Sequence, residues 1–156
     1  RQDGRDVRRG EALAHLQGLD DASLAAITLI QVIEHFSVEQ LLALLRLAER
    51  KLAPGGLIVA ETINPLCLSA LANAYFLDPS HRTPLPPAMT RFLLQQAGFG
   101  QIEIRFLRPV PPPTRLEYLP ETVGEWARIA NLNTDKLNHA LYGPQDYAAI
   151  ARRPEA

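Results

Sequence analysis

Two apolar runs flank a long amphipathic segment in the first half of the chain. Residues 24–32 are apolar almost throughout and rich in Ile, Leu and Val, which is typical of a strand buried on both faces. Residues 56–63 repeat this pattern, and between the two runs the apolar positions recur at helical spacing. Strand, helix and strand in this order predict a βαβ unit with parallel strands and a right-handed crossover.

The intervening helix carries its own start and stop signals. Ser37 is a good N-cap, and Gln40 three residues later completes a predicted capping box. Phe36 and Leu41 have the spacing of a hydrophobic staple at the same end. Pro54 and the two glycines after it predict the stop. The sequence therefore bounds this helix at both ends.

Shorter patterns predict the rest of a mixed α/β fold. Helical stretches are expected at 68–76 and 88–97, and Gly98 is expected as the residue that follows the second. The alternation in "QIEIRFL" predicts a strand, whereas the four prolines of "RPVPPPTRL" exclude regular structure. Residues 121–142 predict one helix, or two with Thr134 capping the second.

Composition and charge exclude several function classes. The chain has 156 residues, 47% of them hydrophobic, which is enough for one domain with a sizeable core. A formal net charge of −1 argues against nucleic acid or an anionic membrane as a partner. The longest apolar stretches are about half the length of a membrane span, so no span is predicted.

Cysteine, histidine and aromatic residues give weaker signals. Cys67 is the single cysteine, which excludes an internal disulfide and fits a reducing, cytoplasmic location. With one cysteine and scattered histidines, no metal site is predicted. His15 and His139 lie in helical patterns and are expected to be structural or on the surface. Four aromatic residues are predicted to lie in the core rather than to stack on a sugar: Phe76, Tyr118, Trp126 and Tyr142.

Polar side chains follow both apolar runs where each ends. Gln31 lies near the end of the first run, with Glu34 and His35 after it, and Glu61 lies near the end of the second, with Asn64 after it. In open α/β sheets, ligands bind beyond the carboxyl ends of the strands, so these side chains are expected to line one pocket. An alternative stays open, in which Glu34 and His35 form the solvated start of the next helix, where an acid gains from the helix dipole.

An ordered set of motifs carries a family resemblance. "GEAL", "QVIEHF", "LAERKLAPGGLIVAETINP", "FLLQQAGF" and "YGPQDYAAIARR" together resemble the carboxyl-terminal two-thirds of a class I S-adenosylmethionine-dependent methyltransferase. The resemblance is to bacterial methyltransferases found with glycosyltransferase and O-antigen (lipopolysaccharide) biosynthesis proteins. It implies a Rossmann-like α/β sheet of seven strands in the order 3-2-1-4-5-7-6, with the seventh strand antiparallel.

The resemblance assigns the chain to part of that sheet. Strands three to seven are expected at 5–9, 24–32, 56–63, 101–107 and 145–152, in that order. Strands one and two have no counterpart, so the chain is expected to be a fragment, with 1–156 forming the carboxyl-terminal part of a single methyltransferase domain. Residues 108–142 are expected to form an acceptor-side insertion between the last two strands.

The resemblance also implies an activity and site residues. It implies methyl transfer from S-adenosylmethionine to a saccharide or other small acceptor. His35, with His81 as second candidate, is expected to act as the base, because an imidazole is partly neutral near neutral pH. The remaining candidates are Glu11, Ala12, Gln31 and Val32 for the cofactor, and Glu34, Glu61 and Asn64 for the acceptor.

The chain departs from the family in lacking the Gly-rich loop after strand one and the acidic residue after strand two. Weak or absent cofactor binding is therefore expected. The free side of strand four should form an apolar edge, which is expected to pair with another copy or with residues 1–10. A competing hypothesis is a non-catalytic, methyltransferase-like assembly module. A nicotinamide-dependent reductase is disfavoured, because the chain has no Tyr-x-x-x-Lys pair.

Overall fold

The computed structural model describes residues 9–155, which fold into helices and strands in alternation. None of the helices in this part of the chain could span a bilayer. The helices are α1 (Ala12–Gln17), α2 (Val38–Lys51), α3 (Leu68–Asn73), α4 (Pro87–Gln96) and α5 (Glu125–Leu141), and the strands are β1 (Leu24–Ile30), β2 (Leu52–Ile63), β3 (Gly100–Leu107) and β4 (Asp146–Arg152).

The four strands form one mixed sheet in the order β1-β2-β4-β3. β1 and β2 are parallel, with Ile27 opposite Ile58. β4 runs antiparallel to both β2 and β3. With family strands four to seven mapped onto β1, β2, β3 and β4, this is the predicted order with the predicted antiparallel last strand. The strand predicted at 5–9 falls almost wholly outside the described residues.

The amino-terminal end of α2 confirms the predicted capping box. Ser37 Oγ accepts a hydrogen bond from the Gln40 backbone N–H at 3.3 Å, and Gln40 Oε1 accepts one from the Ser37 backbone N–H at 3.1 Å. These bonds satisfy donors that the first turn of a helix would otherwise leave unpaired. The helix therefore starts at a fixed residue, directly after the turn that follows β1.

β2 starts four residues earlier than predicted, immediately after α2. The register shifts between the Leu24 and Ala26 pairs with β2, so the glycine-containing segment is absorbed as an irregularity of the strand. Gly56 is required there, since a Cβ at this position would lie 2.7 Å from the Ala53 carbonyl oxygen. The predicted stop signal is therefore part of the strand rather than a separate loop.

The core lies between the sheet and helices α2 and α4. Leu44 and Ile58 are fully buried in it. The buried Tyr147 hydroxyl donates to the Leu85 carbonyl at 2.8 Å and accepts from Thr90 Oγ1 at 2.5 Å, which joins β4 to α4 and the segment before it. Burial raises the pKa of Tyr147, so this hydroxyl keeps its proton. These contacts fix the carboxyl ends of the strands against the helices.

The other face of β1 is open. Ala26, Thr28 and Ile30 are exposed, whereas Leu29 on the opposite face is buried. The prediction of a strand buried on both faces is therefore wrong for the described structure, because α2 and α4 both pack on the same side of the sheet. β1 is also an edge strand, with β2 as its one neighbour among the described residues.

α5 is a single helix that packs on the extended segment before it. Asn138 donates to and accepts from the backbone of Leu116, and Asn131 does the same with Leu119. Thr134 lies in mid-helix, so its predicted capping role is wrong. Because α5 buries the face of these asparagines, its other face points to solvent. Three aromatics predicted to be core are exposed: Phe76 at 69%, Tyr118 at 54% and Trp126 at 77%, while Tyr142 is half-buried.

Candidate active site

Directly after β1, one residue in the left-handed backbone conformation turns the chain at the carboxyl end of the strand. Gln31 has a φ of 52°, which is uncommon for a residue other than glycine. Its backbone N–H donates to the Glu61 carbonyl at 2.9 Å, so the strand ends while still tied to β2. A single 3₁₀ turn, Ile33–His35, follows. The polar residues after β1 and those after β2 therefore lie at the same edge of the sheet, as predicted.

Glu34 is buried completely. Its side chain is 0% exposed, and neither carboxylate oxygen has a hydrogen-bond partner among the described residues. The Glu34 carbonyl accepts from the backbone N–H groups of Arg82 at 2.9 Å and Thr83 at 3.4 Å, which holds the loop from 78 to 83 over the turn. The alternative of a solvated helix start is therefore wrong for Glu34. An ionised carboxylate without a partner is costly in such a place.

A hydrogen-bond chain orients His35. Ser80 Oγ donates its single hydrogen to Asp78 Oδ1 at 2.6 Å, and His35 Nδ1 lies 2.9 Å from the same Oγ. This serine bond, followed by that from the Ser80 backbone N–H, lowers the pKa of Asp78, so the carboxylate is ionised and only accepts. The serine must then accept from His35 Nδ1–H. The lone pair of His35 is therefore on Nε2.

His81 has the same tautomer for a different reason. Its Nδ1 lies 2.6 Å from the Tyr75 carbonyl oxygen, which can only accept, so Nδ1 carries the proton. Its Nε2 lies 4.0 Å from Glu34 Oε1 and 3.9 Å from Asp78 Oδ2. The His81 side chain is 8% exposed, so it is not an exposed loop histidine. The rings of His35 and His81 lie 4.7 Å apart between centroids.

Tyr75, Ser80 and Asp78 are site residues that the sequence patterns missed. Tyr75 packs its ring 4.7 Å from that of His81, and its buried hydroxyl has no partner among the described residues. Burial, and secondarily Glu34, raise the pKa of Tyr75. Asp78 and Ser80 form an Asx turn, in which the Ser80 N–H donates to Asp78 Oδ1 at 2.8 Å. The "DPS" turn sequence was the available signal for this geometry.

The two candidate residues at the carboxyl end of β2, Glu61 within the strand and Asn64 just after it, differ in side-chain exposure. Glu61 is half-buried and lies opposite Ile30, on the open face of the sheet. Asn64 is 2% exposed; its Nδ2 donates to the Pro144 carbonyl at 2.9 Å and its Oδ1 accepts from the Leu66 N–H at 3.1 Å. Asn64 therefore ties the end of β2 to the connection before β4, at the border of a cavity of about 250 Å³.

The residues predicted to hold the cofactor lie in two places, at the end of β1 and at the start of α1. Gln31 and Val32 form the half-buried turn at the end of β1. Glu11 is exposed at the N-cap of α1, and its side chain does not cap the helix. The Ala12 N–H belongs to the first turn, whose N–H groups have no acceptor within the helix.

Comparison with known proteins identifies the family. Neither a protein-family model nor a curated protein sequence matches the chain significantly. The crystal structure of an S-adenosylmethionine-dependent methyltransferase from Archaeoglobus fulgidus matches with 35% identity and a TM-score of 0.88, over 97% of this chain and 69% of that one. The chain therefore belongs to the S-adenosylmethionine-dependent methyltransferases, with S-adenosylmethionine as the implied cofactor.

More distant solved structures share the fold alone. A Thermotoga maritima S-adenosylmethionine-dependent methyltransferase, described as a possible histamine N-methyltransferase, matches with 14% identity and a TM-score of 0.58, over 87% of this chain and 58% of that one. Phosphoethanolamine N-methyltransferase 2 of Haemonchus contortus, solved with S-adenosylmethionine, matches with 15% identity and a TM-score of 0.55, over 88% of this chain and 35% of that one. The chain thus spans less than two thirds of either.

Proposed function

We propose that the chain supplies the acceptor side of a methyltransferase that transfers a methyl group to a hydroxyl of a saccharide or another small acceptor. The observation that carries this proposal is the orientation of His35, whose Nδ1–H is held by Ser80 and whose Nε2 lone pair is left for a substrate proton. A hydroxyl is a poor nucleophile, so a base at this position increases the rate of transfer by about 10²–10⁴-fold. The methyl donor would be S-adenosylmethionine, the sulfonium cofactor of the family.

The roles of the residues follow from their contacts. The bound cofactor would supply the methyl group, and His35 Nε2 would take the proton of the acceptor hydroxyl. Ser80 and the ionised Asp78 hold the ring and stabilise the imidazolium that forms. His81 is the second candidate base. Glu11, Ala12, Gln31 and Val32 are proposed to hold the cofactor, and Glu34, Glu61 and Asn64 to border the acceptor.

The acceptor class is part of the same proposal. Residues 108–142 include α5, whose exposed Trp126 and the exposed Tyr118 before it offer flat apolar surfaces of the kind that sugars stack on. We propose that this insertion sets acceptor specificity, in a cytoplasmic protein acting in lipopolysaccharide biosynthesis. The test is incubation of the natural full-length protein with labelled S-adenosylmethionine and a panel of glycans. Label transfer to a glycan is expected, and transfer to no glycan or other small hydroxyl compound would refute the proposal.

The 156-residue chain by itself is expected to bind S-adenosylmethionine weakly, because the family's Gly-rich loop is absent from its sequence. A thermal-shift titration with the cofactor and with its demethylated product measures this. A ligand at 100 times its dissociation constant stabilises a protein by about 2.7 kcal/mol. We expect no saturable shift, and a clear saturable one would contradict the expectation. Titration of a heat-denatured sample controls for dye effects.

A second candidate function is assembly, and it is favoured by the edge of β1 that pairs with no other strand within residues 9–155. Its exposed face carries Ala26, Thr28 and Ile30, and an exposed apolar edge is a template for pairing with another strand. Concentration-dependent association is expected in light scattering. The double variant Ala26→Lys and Thr28→Lys should be monomeric, because charges on an edge strand block pairing. A wild-type protein that stays monomeric at high concentration would count against self-pairing.

A further inference from the structure

Glu34, His35 and His81 form a cluster of three side chains that could each bind a metal ion, whereas proton transfer requires one base. Each of the three side chains can offer one ligand atom, and these atoms all lie within 4.8 Å of one another. We propose that they form a binding site for a divalent first-row transition-metal ion of the Zn²⁺ type. Two imidazoles and a carboxylate, with a position left open, are a donor set that such ions accept.

The tautomers of both histidines are those of metal ligands. A ligating imidazole usually donates its second N–H to a carboxylate, a carbonyl or another fixed acceptor. His81 donates from Nδ1 to the Tyr75 carbonyl, and His35 donates from Nδ1 to Ser80 Oγ, which passes its own hydrogen to Asp78. In the neutral form of each ring, the lone pair is therefore on Nε2 and the ring is held in a fixed orientation.

The burial of Glu34 supplies an independent observation. Its carboxylate is 0% exposed, and both oxygens lack a hydrogen-bond partner among the described residues. His81 Nε2, at 4.0 Å from Glu34 Oε1, is too distant for a hydrogen bond. A cation between the two would give both atoms a partner, and two ligands of a tetrahedral ion lie about 3.3–3.5 Å apart. The existing separation is close to that value.

The site would deepen the proposed function, on which this part of the inference rests. A bound ion would coordinate the acceptor hydroxyl at its open position and lower the pKa of that hydroxyl. The hydroxyl proton would then leave to water past the exposed carboxylate of Asp78, while the acceptor oxygen takes the methyl group. His35 would act as a ligand in that state. Metal binding itself does not depend on methyl transfer.

The test is titration of the metal-free 156-residue chain with Zn²⁺ by calorimetry, and with Co²⁺ by visible absorption. A single saturable site per chain is expected, with a Co²⁺ spectrum that Zn²⁺ abolishes. Glu34→Gln and His81→Ala are each expected to weaken affinity by more than about 10²-fold. Ser80→Ala should weaken it by roughly 10–100-fold, as removal of an orienting partner does, and Ser80→Thr should restore it.

Two controls keep the result interpretable. Glu34→Gln without metal should melt no lower than wild type, since the amide has nearly the shape of the carboxyl group it replaces and carries no charge. His15 and His139 are exposed histidines outside the cluster, so replacing both with alanine should leave affinity unchanged. Absence of saturable binding overturns the inference. So does binding that survives Glu34→Gln and His81→Ala but is lost when His15 and His139 are replaced.

The titrations also separate this inference from the proposed function, because they need neither cofactor nor acceptor. A protein that binds metal through Glu34, His35 and His81 but methylates no acceptor leaves the site standing and refutes the enzyme. Methyl transfer that is insensitive to chelators, in a protein without a saturable metal site, supports the enzyme and refutes the metal site.

Discussion

Replacing His35 with alanine is expected to lower kcat for the proposed methyl transfer by about 10²–10⁴-fold, measured in a protein with a complete methyltransferase domain. The variant removes the Nε2 lone pair that Ser80 and Asp78 orient toward the carboxyl edge of the sheet. Affinity for S-adenosylmethionine should be unchanged, because the proposed cofactor contacts come from the other residues of the turn and from α1. Steady-state kinetics with labelled cofactor, together with a direct binding measurement, test both statements.

The pH profile separates the chemical role of His35 from a packing role. If an imidazole takes the proton, kcat falls as pH drops through its titration, because the protonated ring cannot accept. That acidic limb should be lost in His35→Ala and kept in the control His15→Ala, which changes an exposed histidine of α1. Unchanged turnover in His35→Ala, or an acidic limb that survives it, would refute the role as base.

Replacing Asn64 with alanine is expected to lower the free energy of unfolding of the 156-residue chain by about 2–4 kcal/mol. Asn64 is 2% exposed and serves two backbone groups, the Pro144 carbonyl and the Leu66 N–H. Each buried partner left unsatisfied costs roughly 1–3 kcal/mol, and partial access of water reduces the sum. Urea denaturation with a common m-value measures the change.

The matched control for this substitution is Asn73→Ala. Asn73 is exposed and makes one hydrogen bond, from Nδ2 to the Ser69 carbonyl at 2.9 Å, so a change within about 0.5 kcal/mol is expected. If Asn64→Ala is as stable as this control but loses turnover, Asn64 serves the acceptor and not the fold. The reverse outcome would remove Asn64 from the proposed acceptor pocket.

The secondary structure that rests on local signals could be predicted from the sequence. The capping box of Ser37 and Gln40 forms as its spacing predicts, because both bonds close within one helical turn. The polar residues after β1 and β2 meet at one edge, because parallel neighbours must present their carboxyl ends together. The family resemblance supplied the strand order, which periodicity does not contain.

The burial of individual side chains was the property that the sequence predicted least well. Trp126 was expected in the core and is 77% exposed, since α5 turns its asparagine face to the preceding segment. β1 was expected to be covered on both faces, and Thr28 and Ile30 are exposed. A hydrophobic pattern states which residues could be buried, and the packing partner decides which of them are.

The sequence by itself determined that a carboxylate and an imidazole end the first strand, that a capped helix starts directly after them, and that a βαβ unit aligns two polar strand ends. The tertiary structure alone decided that His81 and Ser80 from a distant loop close over that turn, that both imidazoles are held through Nδ1, and that Glu34 is buried with no hydrogen-bond partner among residues 9–155. The physical reason is range: caps and periodicities act within a few residues, whereas the burial of a charge and the tautomer of a histidine depend on groups that only folding brings within hydrogen-bond distance.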